Sequence, residues 1–233
     1  MTTRFVCSAN SYKEGGRCLA GIEIDKNNQP IFKYGYPKWI RPICNTPHGE
    51  IPTNLVSHIK ILDIIEIEIT SYPNIADYQS ENVFFDTNSI NIHGRFNIEN
   101  LGELCENRIV IFGNKSKSVS EEDIYKLTYS LLLIRTNKFE VEVKTYDDNP
   151  EYPKYRLVFS YKGNNYNFPI TDPDFLYNYK KYPNFIENFN EIFLCLSLGV
   201  NYMDRYWKLV AGIIPINKSE IINPNKIFDD IPF

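Results

Sequence analysis

The sequence predicts a mainly β fold with a few short helices, arranged as two consecutive small barrels, and three observations carry that prediction. The 17 Tyr and 15 Phe, with many Ile and Val, favour strands over helices. Strand-like runs recur along the whole chain with short polar connections between them. A polar stretch rich in small residues, GNKSKSVS at 113–120, divides the chain into halves at 1–115 and 116–233. At 233 residues and 43% hydrophobic, the chain has ample material for a packed core.

The first half opens with short β runs at Arg4–Ser8 and Arg17–Ile24. Lys38–Ile43 is a third, ended by Pro42, which cannot donate to a ladder. Ile61–Ile69 alternates apolar and acidic residues from Asp63 onward, as a strand with one wet face does. Glu81–Phe85 and Arg108–Phe112 complete the set, with Ile98–Cys105 as a short helix plugging the barrel. In the second half Ser120 precedes Glu121, Glu122 and Asp123, an N-cap followed by acids on the first helical turn. Ser130–Ile134, Phe139–Tyr146 and Tyr155–Tyr161 read as strands, and Gly163-Asn164 turns the last of them into Tyr166–Ile170. Asp172 and Pro173 start a second short helix as N-cap and first residue. Ile192–Leu198 and Tyr206–Ile214 are apolar runs fit for central strands. The tail beyond Pro215 reads as irregular. Each half thus supplies the inventory of an OB-like β-barrel, with a split sandwich as the other arrangement.

The net charge of -4 excludes a binder that relies on whole-surface attraction to nucleic acid. The distribution is uneven: residues 1–41 carry 7 Lys/Arg against 3 Asp/Glu, and residues 42–106 carry 2 against 10. The first segment is either a positive patch or an ordinary set of loops. Five widely spaced cysteines, an odd count with apolar neighbours around Cys7, Cys18 and Cys195, read as buried free thiols of a reducing compartment. The start MTTRFVCSAN has no signal-peptide pattern, and no apolar run approaches a membrane span, so a cytoplasmic location is expected.

Several segments resemble the bacterial dual OB domain-containing proteins. They are CSANSYKEGGRCLAGIEI (Cys7–Ile24), KWIRPI (Lys38–Ile43), LDIIEI (Leu62–Ile67) and YQSENVFF (Tyr78–Phe85), followed by YNFPITDPDF (Tyr166–Phe175) and LCLSLGVNYMDRYWKLVAGII (Leu194–Ile214). The resemblance runs in order along almost the whole chain. It implies two successive OB folds, a bacterial defence setting and a role in sensing nucleic acid. Trp207 departs from the family's tyrosine-lysine step in the last strand.

OB folds bind single strands by stacking bases on aromatic rings while cations follow the backbone. Gly15-Gly16-Arg17 places a turn without Cβ atoms before an arginine, which lets backbone N–H groups approach an anion. Trp39 and Arg41 alternate along one strand and so share a face. Lys13, Asn10 and Lys38 lie close in sequence. The candidate ligand-binding residues are therefore Asn10, Lys13, Gly15, Gly16, Arg17, Trp39 and Arg41. The structural alternative is a plain hairpin turn, a core tryptophan, and Arg41 paired with Glu50 or Glu66.

Other constellations are weaker. Glu66 and Glu68 share one strand face and read as solvated. Cys44 and His48 have chelating spacing but no second tight ligand pair, so no metal is expected. There is no P-loop and no GxGxxG, and none of the three histidines sits in a triad motif; neither a cofactor nor catalysis is expected. Tyr72, Tyr78, Tyr161, Tyr166, Tyr177, Tyr179 and Tyr182 offer a second aromatic platform or a set of core and cross-strand residues. Two readings follow: a nucleic-acid or nucleotide binder that serves a partner effector, or a protein-interaction subunit that uses the acidic 42–106 stretch and the apolar tail Ile227–Phe233.

Overall fold

A computed structural model describes residues 1–73, 77–145 and 151–217. The first half contains β1 (Thr2–Lys13), β2 (Gly16–Ile24), a two-residue hairpin β3 (Phe32–Lys33) and β4 (Tyr36–Pro37), and β5 (Trp39–Ile43). It continues with α1 (Thr53–Val56), β6 (Asp63–Ser71), β7 (Asn82–Phe85), β8 (Asn91–Arg95) and α2 (Leu101–Leu104). The second half contains β9 (Ser118–Ser120), α3 (Glu121–Ile124), β10 (Leu131–Thr136), β11 (Phe139–Lys144), β12 (Lys154–Tyr161) and β13 (Asn164–Pro169). It ends with α4 (Pro173–Lys181), β14 (Phe189–Asn201) and β15 (Arg205–Asn217).

Pairing closes the first half into a ring. β1 pairs with β2, β2 with β5, β5 with β7, β7 with β6, and β6 returns to β1. Only β5 and β7 run parallel. The second half repeats the order with one strand broken: β10 and β11 are a single bent first strand, one piece pairing with β14 and the other with β12. β12 pairs with β13 and β14 with β15, and the third and fifth strands meet at one parallel bridge, Ile170–Val210. In both halves a helix, α1 or α4, lies between the third and fourth strands. The fold is two consecutive OB-like barrels, the first closed and the second a curled sheet joined by a single bridge.

The barrel plug differs from the sequence expectation. Ile98–Cys105 is helical, but Leu101 and Leu104 pack in the core between the halves. The first barrel is plugged by α1 and the turn after it, where Val56 and Ile59 join Phe5, Cys7, Leu19, Ile65 and Val83. Pro42 does not end β5; it stands opposite Val83 in the parallel pair, beyond the reach of β2. The expected strand at Arg108–Phe112 is instead a turn, with Phe112 at φ 47°. The cause is Lys208, fully buried on β15, whose Nζ donates to the carbonyls of Ile111 (2.6 Å) and Asn114 (2.8 Å) and to Asn114 Oδ1 (2.8 Å). Burial pushes this amine down to about 7, while three acceptors engage all three N–H groups of its charged form. The tail segment Ile227–Phe233 lies outside the described residues.

β1 is buried on both faces. Phe5 and Cys7 point into the first barrel, whereas Val6 and Ala9 join Ile22, Leu131, Leu133, Cys195, Ala211 and Ile214 in the core between the halves. A bulge at Ser8 lets β1 switch faces while crossing β15. At that crossing Gly212 has no room for a side chain: a Cβ would lie 2.2 Å from the Ser8 carbonyl oxygen. No helix among the described residues is long and apolar enough to cross a membrane.

Candidate ligand-binding surface

The candidates of the β1–β2 hairpin gather at one rim of the first barrel. Glu14 and Gly15 take φ 41° and 81°, a left-handed pair that closes a two-residue turn between Lys13 and Gly16. Gly15 stands open, whereas a Cβ on Gly16 would meet the Ile51 carbonyl oxygen at 2.6 Å. Arg17 exchanges backbone hydrogen bonds with Ile51, rests its guanidinium 4.8 Å from the Tyr12 ring centre, and donates from NH1 to the Asn10 carbonyl at 3.2 Å. Asn10 donates from Nδ2 to the carbonyls of Val56 (2.7 Å) and Ile59 (2.9 Å) and so fastens the plug. Burial lowers the Lys13 ammonium from its ordinary value. Most of this cluster is spent on holding β1, β2 and α1 together.

The structure separates Arg17 from Trp39. Trp39 faces Ile22 across the sheet, five positions along β2 from Arg17, which is roughly 16 Å of strand. Trp39 and Arg41 do share a face, but that face is turned toward the second half. Arg41 is 2% exposed and pairs with Glu81 at 3.0 Å, rather than with Glu50 or Glu66. Its NH1 donates to Asn82 Oδ1 (3.1 Å) and Ser130 Oγ (2.9 Å), and its NH2 to Ser197 Oγ (3.3 Å). Ser130 donates in turn to Glu81. This guanidinium is a buried tie between the halves and has no open path to a ligand. Trp39 is half-buried, with Nε1 donating to Glu106 Oε1 at 2.9 Å.

Glu106 leads to a surface that the sequence reading missed. Its other oxygen accepts from Arg108 Nε and NH2, both at 2.9 Å. The Arg108 guanidinium carbon lies 3.7 Å from the Tyr36 ring centre and 4.2 Å from that of Tyr129. Burial raises the Glu106 carboxyl, while Trp39 and Arg108 oppose that shift. The Tyr161 hydroxyl donates to the carbonyls of Glu106 (3.0 Å) and Arg108 (2.9 Å), fixing the backbone that carries both side chains.

Above this cluster projects the β3–β4 hairpin, turned by Tyr34 (φ 54°) and Gly35 (φ 81°). Tyr34 is 89% exposed, Phe32 50% and Tyr36 43%. Lys33 Nζ lies 5.5 Å from the Tyr34 ring centre. Three exposed rings thus stand beside Lys33 and Arg108. Open ring faces take planar groups, and the cations take negative charge. The only sequence-level hint was the positive balance of residues 1–41. Tyr129 and Arg108 are too far along the chain from Tyr36 for any local pattern to join them.

A second exposed apolar group lies at the β14–β15 turn, where Tyr202, Met203 and Trp207 are accessible and Trp207 Nε1 donates to the Tyr202 carbonyl at 3.2 Å. A comparison with the curated proteins returns no match. The profile describing a dual OB-containing domain matches residues 3–213, which takes in the first barrel, the whole hairpin surface and the second half as far as Ile213 of β15. The chain belongs to the dual OB-containing domain family.

Proposed function

We propose that this OB-fold binding module is non-catalytic and takes single-stranded nucleic acid on the rim of its first barrel. Tyr34 and Tyr36 stack on bases, and Lys33 and Arg108 meet phosphates. Trp39 and Glu106 position Arg108. The observation that carries the reading is the hairpin, which holds Tyr34 almost fully in solvent while Arg108 lies against Tyr36. Exposed aromatic rings beside cations suit a single strand, whose bases are free to stack, better than a duplex. The Gly15–Arg17 turn lies at the other end of β2 and stands apart from this surface. Arg41 has no part in the contact. In this reading the module senses its ligand inside a defence system and passes the signal to a partner effector.

Fluorescence anisotropy with labelled single-stranded DNA, single-stranded RNA and duplex DNA tests the proposal. Tyr34→Ala/Tyr36→Ala is expected to weaken single-strand binding by roughly 10- to 100-fold, since a base–aromatic stack contributes about 1–3 kcal/mol. Affinity is expected to fall as salt rises. No binding to any strand at low salt overturns the reading.

A second reading, a protein-interaction subunit, is favoured by the Tyr202, Met203 and Trp207 group at the opposite half. It predicts that Met203→Asp abolishes capture of an effector protein while leaving oligonucleotide binding unchanged.

A further inference from the structure

Glu106 stands between two features. On one side are Trp39 and the Arg108–Tyr36 stack. On the other, Glu106 helps line a polar groove of about 380 Å³ with Asn107, Arg135, Asn137, Ser160, Lys162 and Glu191. We propose that this groove carries the sugar–phosphate backbone of the strand whose bases stack on the hairpin, with Arg135 and Lys162 as its phosphate contacts. The inference rests on the single-strand reading above and names where the chain of the ligand continues.

The donors in the groove fit a backbone rather than a base. Its single aromatic residue, Tyr161, is buried, and its hydroxyl is already committed to two carbonyls, so no ring face is offered for stacking. Arg135 is exposed, and its nearest carboxylate, on Glu191, lies 3.6 Å from Nε. That distance is an ion pair but too long for a hydrogen bond, so the guanidinium keeps its donors for a ligand. Lys162 sits at the tight β12–β13 turn, where φ is 51° and Nζ reaches Asn107. The two carboxylates of the groove are each matched by an arginine, Glu106 by Arg108 and Glu191 by Arg135. Lys162 is therefore left as the unbalanced charge, which favours an anion. The Asn107 and Asn137 amides can serve sugar and phosphate oxygens. Burial pushes the thiol of Cys105, which also lines the groove, up to about 12.

The test compares a dinucleotide with a dodecanucleotide on the full chain, using Arg135→Gln/Lys162→Gln, the charge-keeping Arg135→Lys/Lys162→Arg, and Tyr34→Ala/Tyr36→Ala. The glutamine pair is expected to weaken the dodecanucleotide roughly 10-fold and to shed about two phosphates from its salt slope, leaving the dinucleotide unchanged. The charge-keeping pair is expected to restore most of the loss, which a merely structural role does not predict. The tyrosine pair is expected to weaken both ligands. If the glutamine pair leaves the dodecanucleotide affinity and salt slope intact, the groove lies off the path and the inference falls while the hairpin reading stands. If the unsubstituted chain binds neither ligand, both fall.

Discussion

Arg41 and Arg108 are each held by a glutamate buried in the protein, Glu81 at 3.0 Å and Glu106 at 2.9 Å, yet they live in different surroundings. Around Arg41 the second half closes over the sheet, and serine and asparagine side chains accept from its NH1 and NH2 groups. Around Arg108 the partners are two tyrosine rings, one of them on a hairpin open to water. The same residue pair is a tie between halves in one place and the floor of a surface in the other. Charge and aromatic content alone do not separate these uses. What separates them is which strand faces the neighbouring half covers.

The contrast can be broken most forcefully at the junction. Gly212→Val places a branched side chain against the Ser8 backbone, where even a Cβ lies at 2.2 Å. The expected loss is at least about 5 kcal/mol, on the order of a domain's whole stability, and denaturant unfolding measures it. Arg41→Ala leaves Glu81 buried without its cation and is expected to cost roughly 3–5 kcal/mol. The double variant Arg41→Met/Glu81→Leu is expected to recover much of that loss, because it removes both charges together.

A smaller effect sits at α4. Asp172 caps that helix by accepting from Phe175 N at 3.0 Å and ties it to β15 by accepting from Ile213 N at 3.0 Å. Burial raises its carboxyl to about 6 from 3.8. A raised native value means that the folded chain binds the proton more tightly. This group's contribution is therefore full below the unfolded value and is lost as pH rises through about 6. Relative to Asp172→Asn, the wild type is expected to lose about 1.4 kcal/mol per unit between pH 4 and 6, near 3 kcal/mol in all, and to change no further above that. A pH series of denaturant melts on both proteins reads the difference. The smallest change is Tyr34→Ala, expected to leave stability within about 0.5 kcal/mol although its effect on oligonucleotide binding is large. A marked loss of stability there erases the distinction between tie and surface.

Much of the architecture was legible in the chain. RCLAGIEI and YRLVFSY carry strand composition, the apolar runs of β14 and β15 mark central strands, and Ser120 and Asp172 announce their helices through side-chain caps. The losses have physical causes. β8 is exposed at every position, so NIHGR shows no alternation to read. Arg108–Phe112 has strand composition but is bent by an ammonium group 97 positions further along the chain from Ile111. The parallel pairing of β5 with β7 joins segments that no local pattern connects. At the site, the shared face of Trp39 and Arg41 followed from strand periodicity, but its burial depends on the second half. The hairpin rings were passed over because FKYGYP is too short and irregular to score as a strand pair.

The double burial of β1 also orders events at the ribosome. Its outer residues, Val6 and Ala9, share a core with Leu131, Phe193 and Ala211. These belong to segments synthesised more than a hundred residues later. Until β14 and β15 emerge, a finished first barrel shows water an apolar sheet face, and such a face invites self-association. Most contacts across the junction are remote in sequence, so folding is expected to be slow and to complete only when nearly the whole chain is available. A fragment ending at the polar break is therefore an aggregation-prone species, and the natural unit of expression is the pair of barrels together.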